Sequence, residues 1–132
     1  MRSRTTPAGP VSYDLAQELA ALRAEGVLVV GSGNIVHNLS HFQFHNPAPA
    51  DWAQRADSEI RARIMSGDGA ALIAWQALGT DVVLGIPTPE HYLPLLYVLG
   101  LWQPDDKLYV FNDSVISAIS MTSFLLSQDL QN

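Results

Sequence analysis

The chain has no cysteine, few basic residues and no long apolar run, and each of these absences removes a class of function. Without cysteine there is no disulfide, no thiolate metal site and no cysteine nucleophile, a usage compatible with a reducing compartment. Seven Lys and Arg against 13 Asp and Glu leave a net charge of -6. That balance does not form the broad basic footprint a phosphate backbone requires, so nucleic acid is not an expected partner. Nowhere do about 18 apolar residues follow one another, and the opening MRSRTTPAGP has two arginines but no apolar centre. Neither a membrane span nor a signal peptide is expected, and the expected location is the cytoplasm.

What is present suffices for one core. In 132 residues, 48% of them hydrophobic, the expectation is a single α/β unit over residues 13–132, a central sheet flanked by helices, behind a flexible lead of residues 1–12. Leu15, Leu19 and Leu22 recur at helical spacing up to Gly26, which can stop the turn. Val27 to Val30 form an unbroken apolar run of the kind found in strands covered on both faces, and the run ends at Gly31-Ser32-Gly33-Asn34. Residues 46–51, NPAPAD, read as a loop. Trp52, Ala56, Ile60 and Ile64 then keep an i, i+4 stripe until Ser66-Gly67-Asp68. A further helix is expected over 69–78, an extended segment over Val82 to Ile86, a helix over Leu95 to Leu99, and strands over Lys107 to Phe111 and Val115 to Thr122.

Two stretches carry side chains suited to chemistry. The first is PTPEHYLPLL, residues 87–96. Thr88 suits an N-cap, Pro89 the first helical position and Glu90 the positive end of the helix, which puts His91 in the first turn. Pro94 should kink or loosen that turn and let its side chains face outward. Spacing alone also allows Glu90 and His91 to be no more than a solvated helix start.

The second is the loop GSGNIVHN, residues 31–38, which offers Ser32, Asn34, His37 and Asn38 at the carboxyl end of the expected buried strand, where ligands of open α/β sheets bind. A histidine there can move protons near neutral pH. The loop is not a dinucleotide fingerprint, because Val36 stands where the third glycine should be. His37, His41 and His45 would share one face of a helix, yet Phe42-Gln43-Phe44 alternates as an extended segment does. His41 and His45 are therefore expected as surface or packing residues.

GSGNIVHNL (31–39) and PTPEHYLPLLYVLG (87–100), with GVLVV before the first and SAISMTSF (117–124) near the end, resemble the C-terminal half of the DOPA-dioxygenase-type extradiol ring-cleaving enzymes. These belong to the superfamily that includes protocatechuate 4,5-dioxygenase. The resemblance runs from about Tyr13 to Leu125 and implies an incomplete version of the extradiol catalytic-subunit fold. It implies a non-haem Fe(II) centre, which zinc can also occupy, acting on a catechol and O2. His91 matches the metal-ligating histidine of the PTPEH motif and His37 the acid/base of the HN motif; Asn38 and Glu90 would support them. Which catechol is bound, and through which residues, does not follow.

Two further metal histidines of that family belong to its N-terminal half, which has no counterpart here. The expectation is half a site, completed by that half or by a homo-oligomer across an apolar edge left uncovered. The alternative is a non-catalytic remnant or binding module that keeps the fold without metal or turnover. The two readings differ in one geometric expectation: an extradiol site brings His37 and His91 toward each other across one pocket, with open space for a catechol and for ligands from elsewhere.

Overall fold

Asp51 and Arg63 sit at opposite ends of one alanine-rich stripe, where each charge complements the helix dipole, and this stripe becomes the longest described helix. The computed structural model describes residues 9–128. In chain order these hold α1 (Gly9–Leu19), α2 (Ala21–Ala24), α3 (Asp51–Met65), α4 (Gly69–Ile73), α5 (Thr80–Gly85) and α6 (Leu93–Gly100), followed by β1 (Lys107–Phe111), β2 (Val115–Ile116), β3 (Ile119–Ser120) and β4 (Ser123–Ser127). No described helix is long and apolar enough to cross a membrane.

The mixed helix and strand class is as expected, but the sheet is not a single central one. β1 pairs antiparallel with β4, from Lys107 opposite Ser127 to Phe111 opposite Ser123, and β2 pairs with β3 in a separate hairpin. The strand expected over Val115 to Thr122 is thus two short strands around a turn. Ser117 takes φ 50° at that turn. Its backbone N–H donates to the Pro47 carbonyl, its carbonyl accepts from Ala50 N–H, and its hydroxyl accepts from Gln43 N–H. The NPAPAD loop wraps the turn and satisfies its polar groups, which offsets the strained dihedral.

α3 ends as expected: Gly67 takes φ +69°, its N–H donates to Ile64, and the N–H of Asp68 reaches back to Arg63. The Asp68 carboxylate then caps α4 by accepting from Ala71 N–H at 3.1 Å. The helix expected over 69–78 is divided into α4 and a 3₁₀ turn at Trp75–Ala77.

Val82 to Ile86 is not extended. It falls in and just after α5, since Val82 is buried in the core and α5 packs along α3, so tertiary contact overrides β-branched propensity. The core is built around Ile60, Ile64, Leu72, Val82, Tyr92 and Leu96. Tyr92 donates its hydroxyl hydrogen to the Leu72 carbonyl at 2.6 Å, which joins α6 to α4.

The N-terminal reading changes most. Residues 1–8 of the expected lead lie outside the described residues, and α1 already opens at Gly9. α1 packs on α6, with Ala16 buried, while Leu15, Leu19 and Leu22 stay exposed. Val27 to Val30 join no described ladder, and Leu28 is 77% and Val30 76% exposed. The segment expected to be a buried strand pairs with no strand among the described residues, although Val27 N–H donates to the Leu22 carbonyl and Val29 is half-buried. The residues that bury instead are Ile35 and Val36, one turn of the loop further on.

Candidate functional site

Two backbone approaches decide where the histidines stand. At Gly33 an added Cβ would collide with the carbonyl oxygen of His91, and at Gly31 it would lie 2.8 Å from the Pro94 carbonyl oxygen. Only glycine permits the loop to lie this close on the start of α6. The next residue uses the closeness: Asn34 N–H donates to the His91 carbonyl at 2.8 Å. The glycines of the loop therefore serve backbone packing.

Beyond this contact, buried Ile35 and Val36 carry the chain into the core and set His37 at its edge. His37 N–H donates to the Gly85 carbonyl at the end of α5 at 2.8 Å, and the residue bridges Ile119 of β3. His91 comes from the other side. Pro89–His91 form a 3₁₀ turn, Tyr92 follows, and α6 begins with Pro94 near its first turn, where a missing N–H costs little. The helix start is divided in the way Pro94 suggested, and His91 is exposed.

The two imidazoles meet face to face, with ring centroids 3.8 Å apart and planes inclined by 20°. The expected approach of His37 and His91 is present. Partial burial and the nearby charge of His91 lower the His37 pKa below the ordinary histidine value, against an opposing pull from Glu90. Near neutral pH His37 is thus a neutral imidazole, able to accept a proton.

The supporting residues divide in character. Asn38 is buried: its side-chain amide donates to the Leu84 carbonyl at 2.7 Å, its Oδ1 accepts from the Ser40 hydroxyl, and its N–H donates to Ala118. It ties the segment after His37 to α5 and to the β2–β3 turn. Glu90 is exposed, and its carboxylate accepts from the Thr88 hydroxyl at 2.6 Å, which holds its pKa below the usual carboxylate range. Thr88 stands at the cap position, but its hydroxyl serves Glu90 and makes no cap to the backbone.

Ser32 is exposed. His41 lies on the surface with its ring edge toward Trp52, and His45 is exposed. Among the described residues no three His, Cys, Asp or Glu side chains stand together as a metal site, so His37, His41 and His45 do not form one.

A cavity of about 450 Å³ adjoins the pair. His91, Asn34 and Thr122 line it together with apolar side chains from the 27–30 segment, α6 and β4; His37 stacks against His91 and is not part of the wall. The open space beside His91 is lined mainly by apolar side chains, with Arg23 and a few hydroxyl residues among them.

A group that spacing did not reveal is the buried carboxylate of Asp57 on α3. It accepts from the hydroxyls of Ser120 at 2.5 Å and Thr122 at 2.8 Å, and Arg61 is 3.7 Å away. Ser120 and Thr122 lie within the SAISMTSF segment, whose alternation of hydroxyl residues was the available signal; their partner is 63 and 65 residues distant.

No family model matches the chain. It is 34% identical over 127 residues to the 4,5-DOPA dioxygenase extradiol of Escherichia coli (strain K12), a match covering 84% of this chain and 42% of that protein. Its identity to the 4,5-DOPA dioxygenase extradiol of Beta vulgaris is 29% over 106 residues, covering 80% of this chain and 40% of that protein. The crystal structure of an uncharacterized protein from Escherichia coli K12 superposes with a TM-score of 0.81 at 33% identity, over 90% of this chain and 50% of that one. The chain thus spans about two-fifths of the length of these curated relatives.

Proposed function

This chain belongs to the DOPA-dioxygenase-type extradiol family, matching about two-fifths of its curated relatives as a C-terminal half would, and we propose that it supplies one side of a catechol ring-opening site. In this reading His91 is a ligand to non-haem Fe(II), and His37 is the acid/base beside it. The observation that carries the proposal is the His37–His91 stack at 3.8 Å, formed by two residues 54 positions apart that resemblance had singled out separately.

The donor set fits part of an iron centre. His91 is exposed beside the cavity and offers an imidazole nitrogen, a donor suited to Fe(II) or zinc. The other ligands of a facial site would have to come from outside the described residues. An imidazole nitrogen of His91 would be one of the ligands holding Fe(II), which would supply the redox chemistry by which O2, both of its atoms ending in the product, opens a catechol ring beside the diol to a semialdehyde acid.

The chain's own residues then have distinct tasks. His91 would hold and orient the diol through the metal. His37, neutral at the working pH, accepts a proton from a diol hydroxyl on a ring nitrogen and can return it later, and its backbone bond to Gly85 keeps the ring in place. Asn38 would fix the segment that carries it, and Glu90, negative and close enough to affect His37, would stabilise the proton once it has moved. The largely apolar cavity wall suits an aromatic ring.

The partner follows from the same surface. Leu28, Val30 and the Leu15, Leu19, Leu22 stripe expose apolar area without cover, and the 27–30 segment leads straight into the loop that rests on His91. A complementary half pairing along 27–30 would deliver its own end of strand to the metal side of His91. A cytoplasmic setting suits both the iron chemistry and a chain without cysteine.

Anaerobic Fe(II) titration of this chain mixed with the complementary N-terminal half of a relative tests the reading. One equivalent of iron bound by the mixture, and lost with His91→Ala, is expected. No iron uptake, or uptake indifferent to His91→Ala, would support the non-catalytic binding module instead.

A further inference from the structure

The His37–His91 stack is held from a distance by groups that touch neither ring. Asn34 N–H donates to the His91 carbonyl, and the Asn34 side-chain amide donates to the Ser120 carbonyl, each at 2.8 Å. Ser120 N–H donates in turn to the Val36 carbonyl at 2.9 Å, one residue before His37, and neighbouring Ile119 bridges His37 itself. Ser120 is therefore the point where the two histidine-bearing segments are joined. Its hydroxyl donates to Asp57 and accepts from Thr122 N–H at 3.1 Å, and the Thr122 hydroxyl donates to the same Asp57 oxygen.

A buried carboxylate is costly to desolvate, and an apolar residue there would serve stability as well. What the carboxylate adds is direction: two hydroxyls converging on one oxygen fix Ser120 and Thr122 against α3. We propose that Asn34, Ser120 and Asp57 are positioning residues that set the His37–His91 separation. Their catalytic consequence rests on the extradiol reading above; their effect on the rings does not.

The test is NMR on the whole 132-residue chain, metal-free, reading the nuclear Overhauser effect between the carbon-bound ring protons of His37 and His91. The wild-type chain should show it. Asn34→Ala and Asp57→Ala should lose it while the amide pattern of α3 and α6 persists, and Asp57→Asn, which still offers an oxygen to both hydroxyls, should restore it. If Asn34→Ala fails to fold, Asn34→Asp, equal in size but without the amide donor, is read in the same way. An unchanged effect in folded Asn34 and Asp57→Ala variants, or equal loss in Asp57→Asn and Asp57→Ala, overturns the proposal. In the iron-loaded complex the same variants should lower kcat on the order of 10²-fold with little change in KM, as expected of displaced rather than deleted groups. Lost ring contact in a complex that never turns over would leave the positioning intact and remove only the extradiol reading.

Discussion

His37 and His91 share a stacked contact of 3.8 Å, and the charge of His91 is one reason the His37 pKa is lowered. Removing the His91 ring takes away that charge and part of the burial. In His91→Ala the His37 pKa should rise toward the ordinary value of about 6.5, followed through its ring-proton shifts. The linkage has a definite sign. A histidine that binds protons less readily when folded favours the unfolded chain in acid, so stability should decline as pH falls through about 6.5 and level off below the folded pKa. His37→Phe should flatten that part of the profile.

Gly33→Ala should be disruptive out of proportion to one methyl group. The new Cβ meets the His91 carbonyl, a backbone atom that cannot swing aside. A loss of about 1–3 kcal/mol in chemical denaturation is expected from overpacking, with the Asn34–His91 bond weakened. Gly67→Ala should act by another route, through its φ of +69° with no Cβ contact within 4 Å, and should leave the histidine contact unchanged.

Arg23 and Asp106 form a partly buried ion pair that locks α2 to the turn before β1. Two guanidinium nitrogens reach the carboxylate at 2.6 and 2.7 Å, and Arg23 also donates to the Leu101 carbonyl. The Arg23 guanidinium holds Asp106 below the usual carboxylate range. Since the folded pKa is the lower one, the stabilisation is present above about pH 4 and is lost as pH falls through the folded value. Asp106→Ala should cost about 1–3 kcal/mol at neutral pH, by leaving Arg23 with only its bond to the Leu101 carbonyl, and should remove this acid-sensitive component.

Leu28→Lys and Val30→Lys place charge on side chains 77% and 76% exposed. Surface changes of this kind should alter the stability of the isolated chain by no more than about 0.5 kcal/mol. Binding of a complementary half, followed by analytical ultracentrifugation, should nevertheless be lost.

The sequence made the helices and the site pair legible for different reasons. α3 combined a regular apolar stripe with a charged start and a glycine stop, so local signals agreed with the packing. Lys107 to Phe111, rich in aromatic and β-branched residues, became β1 as read. His37 and His91 stood out one by one as site candidates from their loop and helix-start settings, but their pairing was legible only through resemblance, since their meeting depends on contacts between segments far apart in the chain. Val82 to Ile86 misled because two adjacent valines resemble a strand while the face of α3 requires a helix there. Val27 to Val30 misled because an apolar run reports what a segment could bury, and no described strand pairs with it. Asp57 left no local trace at all, its partners lying across the fold.

Oxygen uptake with DOPA is the most direct test of the central claim, measured after anaerobic Fe(II) loading of this chain together with an N-terminal half. Iron-dependent uptake with release of a semialdehyde acid, abolished by His91→Ala and reduced at least about 10²-fold by His37→Ala, is the expected result. Absence of uptake in the loaded complex, or uptake that survives His91→Ala, would contradict a ring-opening site built on this pair.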